Sequence, residues 1–418
     1  MGNLDWKKIG LIAMFLGAIA LFGFFLYYFF IGPLFFPPPS DPGTSPEPTA
    51  TGTLPQTVTI NGRIYNIDPK TGLPTTEIIS QPPTTPLPDQ QPSDRADGSI
   101  TKTDKFIDDP AYYLTTIDNN FIYYNKQDGK FYQAGPDGRT SALSNQIFHN
   151  VSNVTWSNTG KKAVLEYPDG SNILYDFSTN KQITLPKHWE EFSFSQATNQ
   201  LAFKSIGLDI ENRFLAIAND DGSNIKTLEH IGGIENQVAV NWSPTNQMIA
   251  TVTKGKDGDR SEVYFIGQND ENYKLMIVNG RDFRGLWSPT GNQMVYSVYN
   301  SQNDYKPQLW ISDASPTTIG ENRRSLNLET WADKCSFVST NKIYCAVPTS
   351  LPYGAGLEPG IANTIPDQIY ELDLTTGAKK LIAIPEGEHT ISQIIFNDNY
   401  NYLLFTDANN NQVYKINL

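Results

Sequence analysis

Few residues in this sequence pair a reactive type with a productive spacing. Its four histidines are His149, His188, His230 and His389, and none sits in an H-E-x-x-H or other metal-ligand pattern. Each falls between the segments that read as structural units, where surface-loop histidines are expected. No G-x-S-x-G nucleophile elbow occurs, which removes a serine-hydrolase domain. Gly354, Gly356 and Gly360 approach a dinucleotide fingerprint, but the spacing is one residue too long and no helix is predicted after it. Asp257, Asp259, Ser261 and Glu262 place oxygens at alternate positions without the turn glycine of an EF-hand loop. Asp220, Asp221 and Gly222 read as a hairpin turn, and a solvated turn is the expectation for both acidic loops. No catalytic residue, metal or cofactor is predicted, so the protein is read as a binder and not as an enzyme.

The two cysteines, Cys335 and Cys345, lie ten positions apart across the stretch Phe337 to Tyr344. A three-residue hairpin loop at Ser339, Thr340 and Asn341 sets Cys335 directly opposite Cys345, with Cβ atoms in disulfide range. In an oxidising compartment that pair forms a bond; the alternative is two buried thiols packing as small hydrophobes.

A long insertion follows, Ala346 to Asp367, rich in Pro and Gly yet carrying Leu351, Tyr353, Leu357, Ile361 and Ile365. Loops of this length inside compact domains are functional or disordered, and the apolar content argues for docking, on the domain itself or on a partner. Leu351, Tyr353, Leu357 and Ile361 are the candidate binding residues, with Tyr353 and Leu357 as anchors.

The elements that would position these residues repeat along the sequence. An aromatic or large apolar residue, a polar turn and an apolar strand recur at Ile117, Trp156, Phe194, Trp242, Trp287, Phe337 and Phe396. Three copies match closely: Trp156-Ser-Asn-Thr-Gly160, Trp242-Ser-Pro-Thr-Asn246 and Trp287-Ser-Pro-Thr-Gly291. A four-stranded antiparallel sheet of about 40 to 50 residues cannot bury both faces alone, so successive sheets stack radially as propeller blades. The aromatics fill the space between blades, Pro presets φ in the turn, and Gly or Asn takes the positive φ. These repeats resemble those of the WD-repeat-like β-propellers typified by the TolB-type propeller and the propeller domains of prolyl oligopeptidase-type enzymes, over about Ala111 to Leu418. Asn or Thr stands where that family usually has Asp, as at Thr290, and the Phe194, Phe337 and Phe396 copies have lost most of the turn. The resemblance implies a binding or scaffolding surface more than a reaction.

The fold expected is an all-β propeller over residues 99–418, with seven blades, or six if the unit around Ile117 only completes another. The last unit supplies three strands, Ile391 to Phe396, Tyr402 to Thr406 and Val413 to Leu418. The fourth is expected from Ile100 to Ile107, closing the ring by pairing the two ends of the domain.

Ahead of the repeats, Ile9 to Ile31 is uncharged and long enough to cross a bilayer, which needs about 20 helical residues. It ends in Tyr27, Tyr28, Phe29 and Phe30 without a small-residue cleavage pattern, so residues 9–32 read as an uncleaved transmembrane anchor. Lys7 and Lys8 precede it and the next basic residue is Arg63, which puts residues 1–8 in the cytoplasm and the remainder outside. Residues 33–98 form an extracytoplasmic Pro/Thr-rich linker: 15 of the 28 prolines lie between Pro33 and Asp94. At about 3.1 Å per residue in the polyproline limit it reaches on the order of 190 Å. One island, Thr57 to Ile67, alternates around Asn61-Gly62, a type I′ hairpin signal. A net charge of −13 disfavours nucleic acid. The expected partners are the lipid bilayer, through residues 9–31, and a protein or glycan of the cell envelope. The alternatives are a propeller enzyme acting on envelope glycans and a subunit of a larger envelope complex.

Overall fold

Apolar runs of four to eight residues between Gly, Asn and Asp turns become strands throughout, as β-rich patterning dictates. The structure is a computed structural model that describes Leu21, Thr57–Ile60, Arg63–Ile67, Pro74–Ile78 and residues 91–396 and 399–418. It divides into two units, Met1–Leu87 and Pro88–Leu418. In the first, Thr57–Ile60 and Arg63–Ile67 pair across Asn61-Gly62 with Ile60 opposite Arg63, the hairpin expected from that dipeptide. A third strand, Pro74–Ile78, for which the sequence carries no clear signal, pairs with the second. The candidate span at 9–31, Leu21 apart, and most of the spacer lie outside the described residues. Among the described residues no helix is long and apolar enough to cross a membrane.

The second unit is a seven-bladed propeller. Each blade is an antiparallel meander whose first strand is the innermost: Tyr112–Ile117, Asn153–Trp156, Trp189–Phe194, Val238–Val240, Arg281–Trp287, Cys335–Ser339 and Ile391–Phe396. All seven repeat anchors fall on these strands or, for Trp242, just past one. The rings pack against the preceding blade: Trp156 on Phe131 at 5.4 Å, Trp287 on Phe265 at 6.2 Å and Phe396 on Tyr344 at 5.3 Å. Burial of such rings is the main favourable term at each blade boundary. The indole N–H groups of Trp156 and Trp287 also donate to inner-strand carbonyls of the preceding blade, at Tyr113 and Asn241.

The Trp-Ser turns are structural. Ser157, Ser243 and Ser288 each accept the backbone N–H five residues on, from Lys162, Met248 and Gln293 at 3.0 to 3.1 Å. Gly160, Asn246 and Gly291 take φ of 64°, 62° and 68°. At Gly291 a Cβ would lie 2.8 Å from the Thr245 methyl of the preceding turn, so glycine is required for contact as well as for φ.

The ring closes through residues N-terminal to the repeats, as expected. Asp104–Lys105 pairs antiparallel with Val413–Asn417, supplying the fourth strand of blade 7. Ile107 is buried with Leu114 and Phe121 of blade 1 and Ile395, Leu404 and Val413 of blade 7. The same segment does something the sequence does not suggest: Ile100–Thr101 adds a fifth, parallel strand to the outer edge of blade 6, against Ile384 and Pro385. It therefore spans two blades and covers two edges.

Candidate functional site: the insertion face

Antiparallel blades expose their connections on two faces. The Trp-Ser turns occupy one. The other carries the loops between second and third strands and the links between blades, and the insertion of blade 6 lies there. Its second strand runs on through Pro348, opposite Asp367, so Ala346, Val347 and Pro348 belong to the sheet and the loop proper is 349–366. The Cys335–Cys345 disulfide joins the first two strands of this blade, with the half-cystines directly opposite each other and Cα atoms 4.1 Å apart. The register is the one expected but the turn is not. Ser339 pairs with Lys342 after a one-residue slip near Val338, leaving a two-residue loop in place of a three-residue one.

The insertion is pinned to the propeller by its backbone. Gly354 N–H donates to the Asp304 carbonyl at 2.8 Å and Gly356 N–H to that of Tyr305 at 2.7 Å. Those amides are therefore spent on blade 5 and cradle no phosphate, although a short 3-10 helix, Pro359–Thr364, follows the glycines where no helix was expected. Leu351, grouped above with the binding residues, is instead core: it is buried with Trp331, Ala355 and Ala362, because the loop folds over its own apolar side. The other three remain outside, Tyr353 at 68% exposure, Leu357 at 58% and Ile361 at 38%. Tyr353 is braced edge-on against Tyr305 at 5.5 Å.

Beneath the loop lies a buried ion pair. Both Asp367 carboxylate oxygens accept from Lys334 Nζ at 2.7 Å, and one also accepts the Ile391 N–H at 2.6 Å. Burial pushes the Asp367 carboxyl above the usual range, with Lys334 opposing. These groups lock blades 6 and 7 together at the root of the insertion.

Two cavities stand out, one beside the loop and one toward the opposite face. One of about 470 Å³ lies between blades 4 and 5 and the insertion, lined by Gly255, Arg281, Asp282, Tyr299, Tyr305 and Leu357. The other, about 530 Å³, is the central channel below the Trp-Ser turns, where Thr115, Gln196, Asn241, Ser336 and Gln393 present hydroxyls and amides. Charge gathers toward the insertion face: Arg284 bridges Asp282 at 2.9 Å and Asp333 at 3.1 Å. Nearby blades bring Glu166, Glu190 and Glu191 together. Burial raises the Glu166 carboxyl above its ordinary value, and the two neighbouring carboxylates push the same way. A bulge with a left-handed residue, Glu191 or Asp282, turns these groups toward the face.

The remaining sequence candidates resolve individually. His149, His188 and His230 are exposed. His389 is not a surface histidine; its ring packs on Tyr414 at 4.4 Å, with Asp407 2.8 Å from Nδ1. Asp257 is held by Arg260 at 2.6 Å, and Asp259 accepts from the Ser301 N–H and hydroxyl. Asp221 accepts from Ser223 in a hairpin turn with Gly222 at φ 77°. Arg281 and Tyr305, which line the cleft beside Leu357, carry no sequence signal because neither stands in a repeat or a motif.

No protein-family model matches the sequence, and no curated protein does. Solved structures do. Kuenenia stuttgartiensis hydrazine synthase is 11% identical, over 74% of this protein and 96% of that one, with a TM-score of 0.50. The likeness is one of fold. The β-propeller domain of Myceliophteria thermophila Cps50 (Swd1) is 9% identical over 76% of this protein and 99% of that domain, at a TM-score of 0.49. An oligogalacturonate lyase in complex with manganese is 12% identical over 74% and 89%, at 0.45. At such identities a propeller host says nothing of the chemistry grafted on it.

Proposed function

We propose that this protein is a membrane-anchored, extracytoplasmic β-propeller that acts as a binding or scaffolding module of the cell envelope and takes a protein or glycan partner on its insertion face. One observation carries the reading: of the large apolar side chains left exposed on the propeller, Ile147, Leu208, Ile210, Tyr353, Leu357 and Ile361 stand on loops of that face, while Ile100, Ile183, Ile225 and Leu275 are scattered on the outer strands and the opposite side. Exposed apolar groups gathered on one surface mark interaction sites. Anchoring rests on the uncharged run at 9–31 and its flanking lysines, and a disulfide agrees with an oxidising compartment. In cells, a photocrosslinking residue at Tyr353 should give a discrete adduct and one at Ile225, on the propeller rim, none. Tyr353→Ala with Leu357→Ala should abolish the adduct formed from a crosslinker at Ile361 without moving the urea midpoint, whereas Leu351→Ala should cost about 2–4 kcal/mol of stability. Absence of adducts from every loop of this face would sink the proposal.

The rival reading, an enzyme acting on envelope glycans, draws support from Arg284 between Asp282 and Asp333 and from the raised Glu166 carboxyl. Turnover of glycan oligomers that is lost in Asp333→Asn and Glu166→Gln would select it.

A further inference from the structure

We infer that the cleft beside the insertion is a carboxylate site, built to take a peptide group in which an acid lies next to an apolar residue, with Arg281 as its anion anchor. This deepens the proposal above and rests on it for the partner's class. Arg281 opens the inner strand of blade 5 opposite Tyr299 and sits just before the bulge at Asp282. Its guanidinium forms no ion pair among the described residues. The nearby acids have their closest partners elsewhere, Asp282 on Arg284, Asp257 on Arg260 and Asp259 on Ser301, although Arg281 still attracts Asp259 through space. Arg281 itself has one weak internal acceptor, the Gly258 carbonyl, 3.4 Å from Nε.

A planar cation with five donors and almost none of them used is an unspent recognition group. It also occupies space that only glycine leaves open. A Cβ at Gly255 would lie 1.9 Å from Arg281 Nη1 and 2.8 Å from Cζ, so the guanidinium sits over the Gly255 backbone, and any larger residue would displace it. Half-buried, it borders a cleft of about 470 Å³ whose other walls include Tyr299, Tyr305, the exposed Leu357 and Asp282, whose carboxylate is paired with Arg284. A fork of N–H donors matches a carboxylate bidentately, and an apolar wall beside it takes the neighbouring residue. Two sources supply that chemistry: the free α-carboxylate at the end of a polypeptide, or the carboxylate of an internal Asp or Glu.

The test titrates the purified full-length protein with three peptides, followed by calorimetry: N-acetyl-Leu-Phe with a free carboxylate, its C-terminal amide, and N-acetyl-Phe-Glu-amide. At least one acid should bind about tenfold tighter than the neutral amide, as a charge-assisted pair requires, and the tighter acid identifies the source. Arg281→Met should remove the difference without moving the urea midpoint. Gly255→Ala, which keeps the arginine but displaces it, should do the same, and the Arg281 Nε–H NMR resonance should shift on adding the acid to wild type only. Equal binding of acid and amide, no measurable heat with any peptide, or unchanged acid binding by Arg281→Met would each overturn the site. If Arg281→Met also leaves the Tyr353 crosslink intact, the recognition face stands while the carboxylate anchor falls.

Discussion

Closure of the ring makes a quantitative claim about Ile107. The residue is 2% exposed and packs among blade 1 and blade 7 residues, although it lies outside every repeat. Around it Phe106 N–H donates to Val413, Phe106 meets Phe121 edge-on at 5.3 Å, and the Gln412 amide donates to the Ile107 carbonyl. Truncating Ile107 to Ala removes three buried carbons and leaves a cavity walled by rigid sheets, for which Ile→Ala costs run about 2–5 kcal/mol. That cost reaches the global transition only if the segment opens together with the blades; a segment that frays by itself passes none of it on. Urea unfolding of Ile107→Ala should therefore show a lower midpoint at unchanged slope, by about 3 kcal/mol. Hydrogen exchange at Phe106 and at Ile384, whose N–H donates to Ser99 at 3.0 Å, should be as slow as in the central strands. A wild-type midpoint with fast exchange at Phe106 would show that the clasp is not part of the cooperative unit, and the closure argument would fail.

The Cys335–Cys345 bond closes a short loop between paired strands, so its removal by Cys345→Ala should cost about 2–3 kcal/mol; free thiols at both positions in freshly isolated protein would refute the bond. Acid should destabilise the propeller between about pH 4 and 2. The Ser171 hydroxyl and amide, with Lys187, hold the Asp169 carboxyl down at about 2, and Ser223 lowers Asp221. A depressed folded-state pKa gives stability that is present above the unfolded value of 3.8 and is lost as pH falls through the folded one. Asp169→Asn should flatten part of that slope, and an unaltered urea-midpoint profile across this window would contradict the assignment.

The blades were legible because their construction recurs. One Trp-Ser turn is weak evidence, but three close copies at Trp156, Trp242 and Trp287, with the Phe194 copy between the first two, make the inference, and the count of seven followed from the degenerate Ile117, Phe194, Phe337 and Phe396 copies. The missing strand of blade 7 was likewise an accounting result: three strands in the last unit leave an edge, and edges are covered. The parallel strand at Ile100–Thr101 was not legible, since two residues carry no period and blade 6 already had four strands. The slip near Val338 escaped for a related reason, because a bulge shifts register without altering the alternation around Cys335 and Cys345.

Recognition chemistry was harder to read than the scaffold, and Leu351 and Leu357 show why. Both are leucines in one Pro- and Gly-rich insertion, so composition assigns them the same role. What separates them is the pair of amides at Gly354 and Gly356, which fasten the loop to Asp304 and Tyr305 and thereby turn Leu351 inward and Leu357 outward. That contact joins residues some fifty positions apart, and no local pattern encodes it. Arg281 is a stronger case. Its availability follows from three other carboxylates having found other partners, and its position from a glycine in the neighbouring blade. A site defined by what its neighbours leave unpaired emerges only once the blades have packed, which is why a repeat-built scaffold can be read from its sequence before its binding face can.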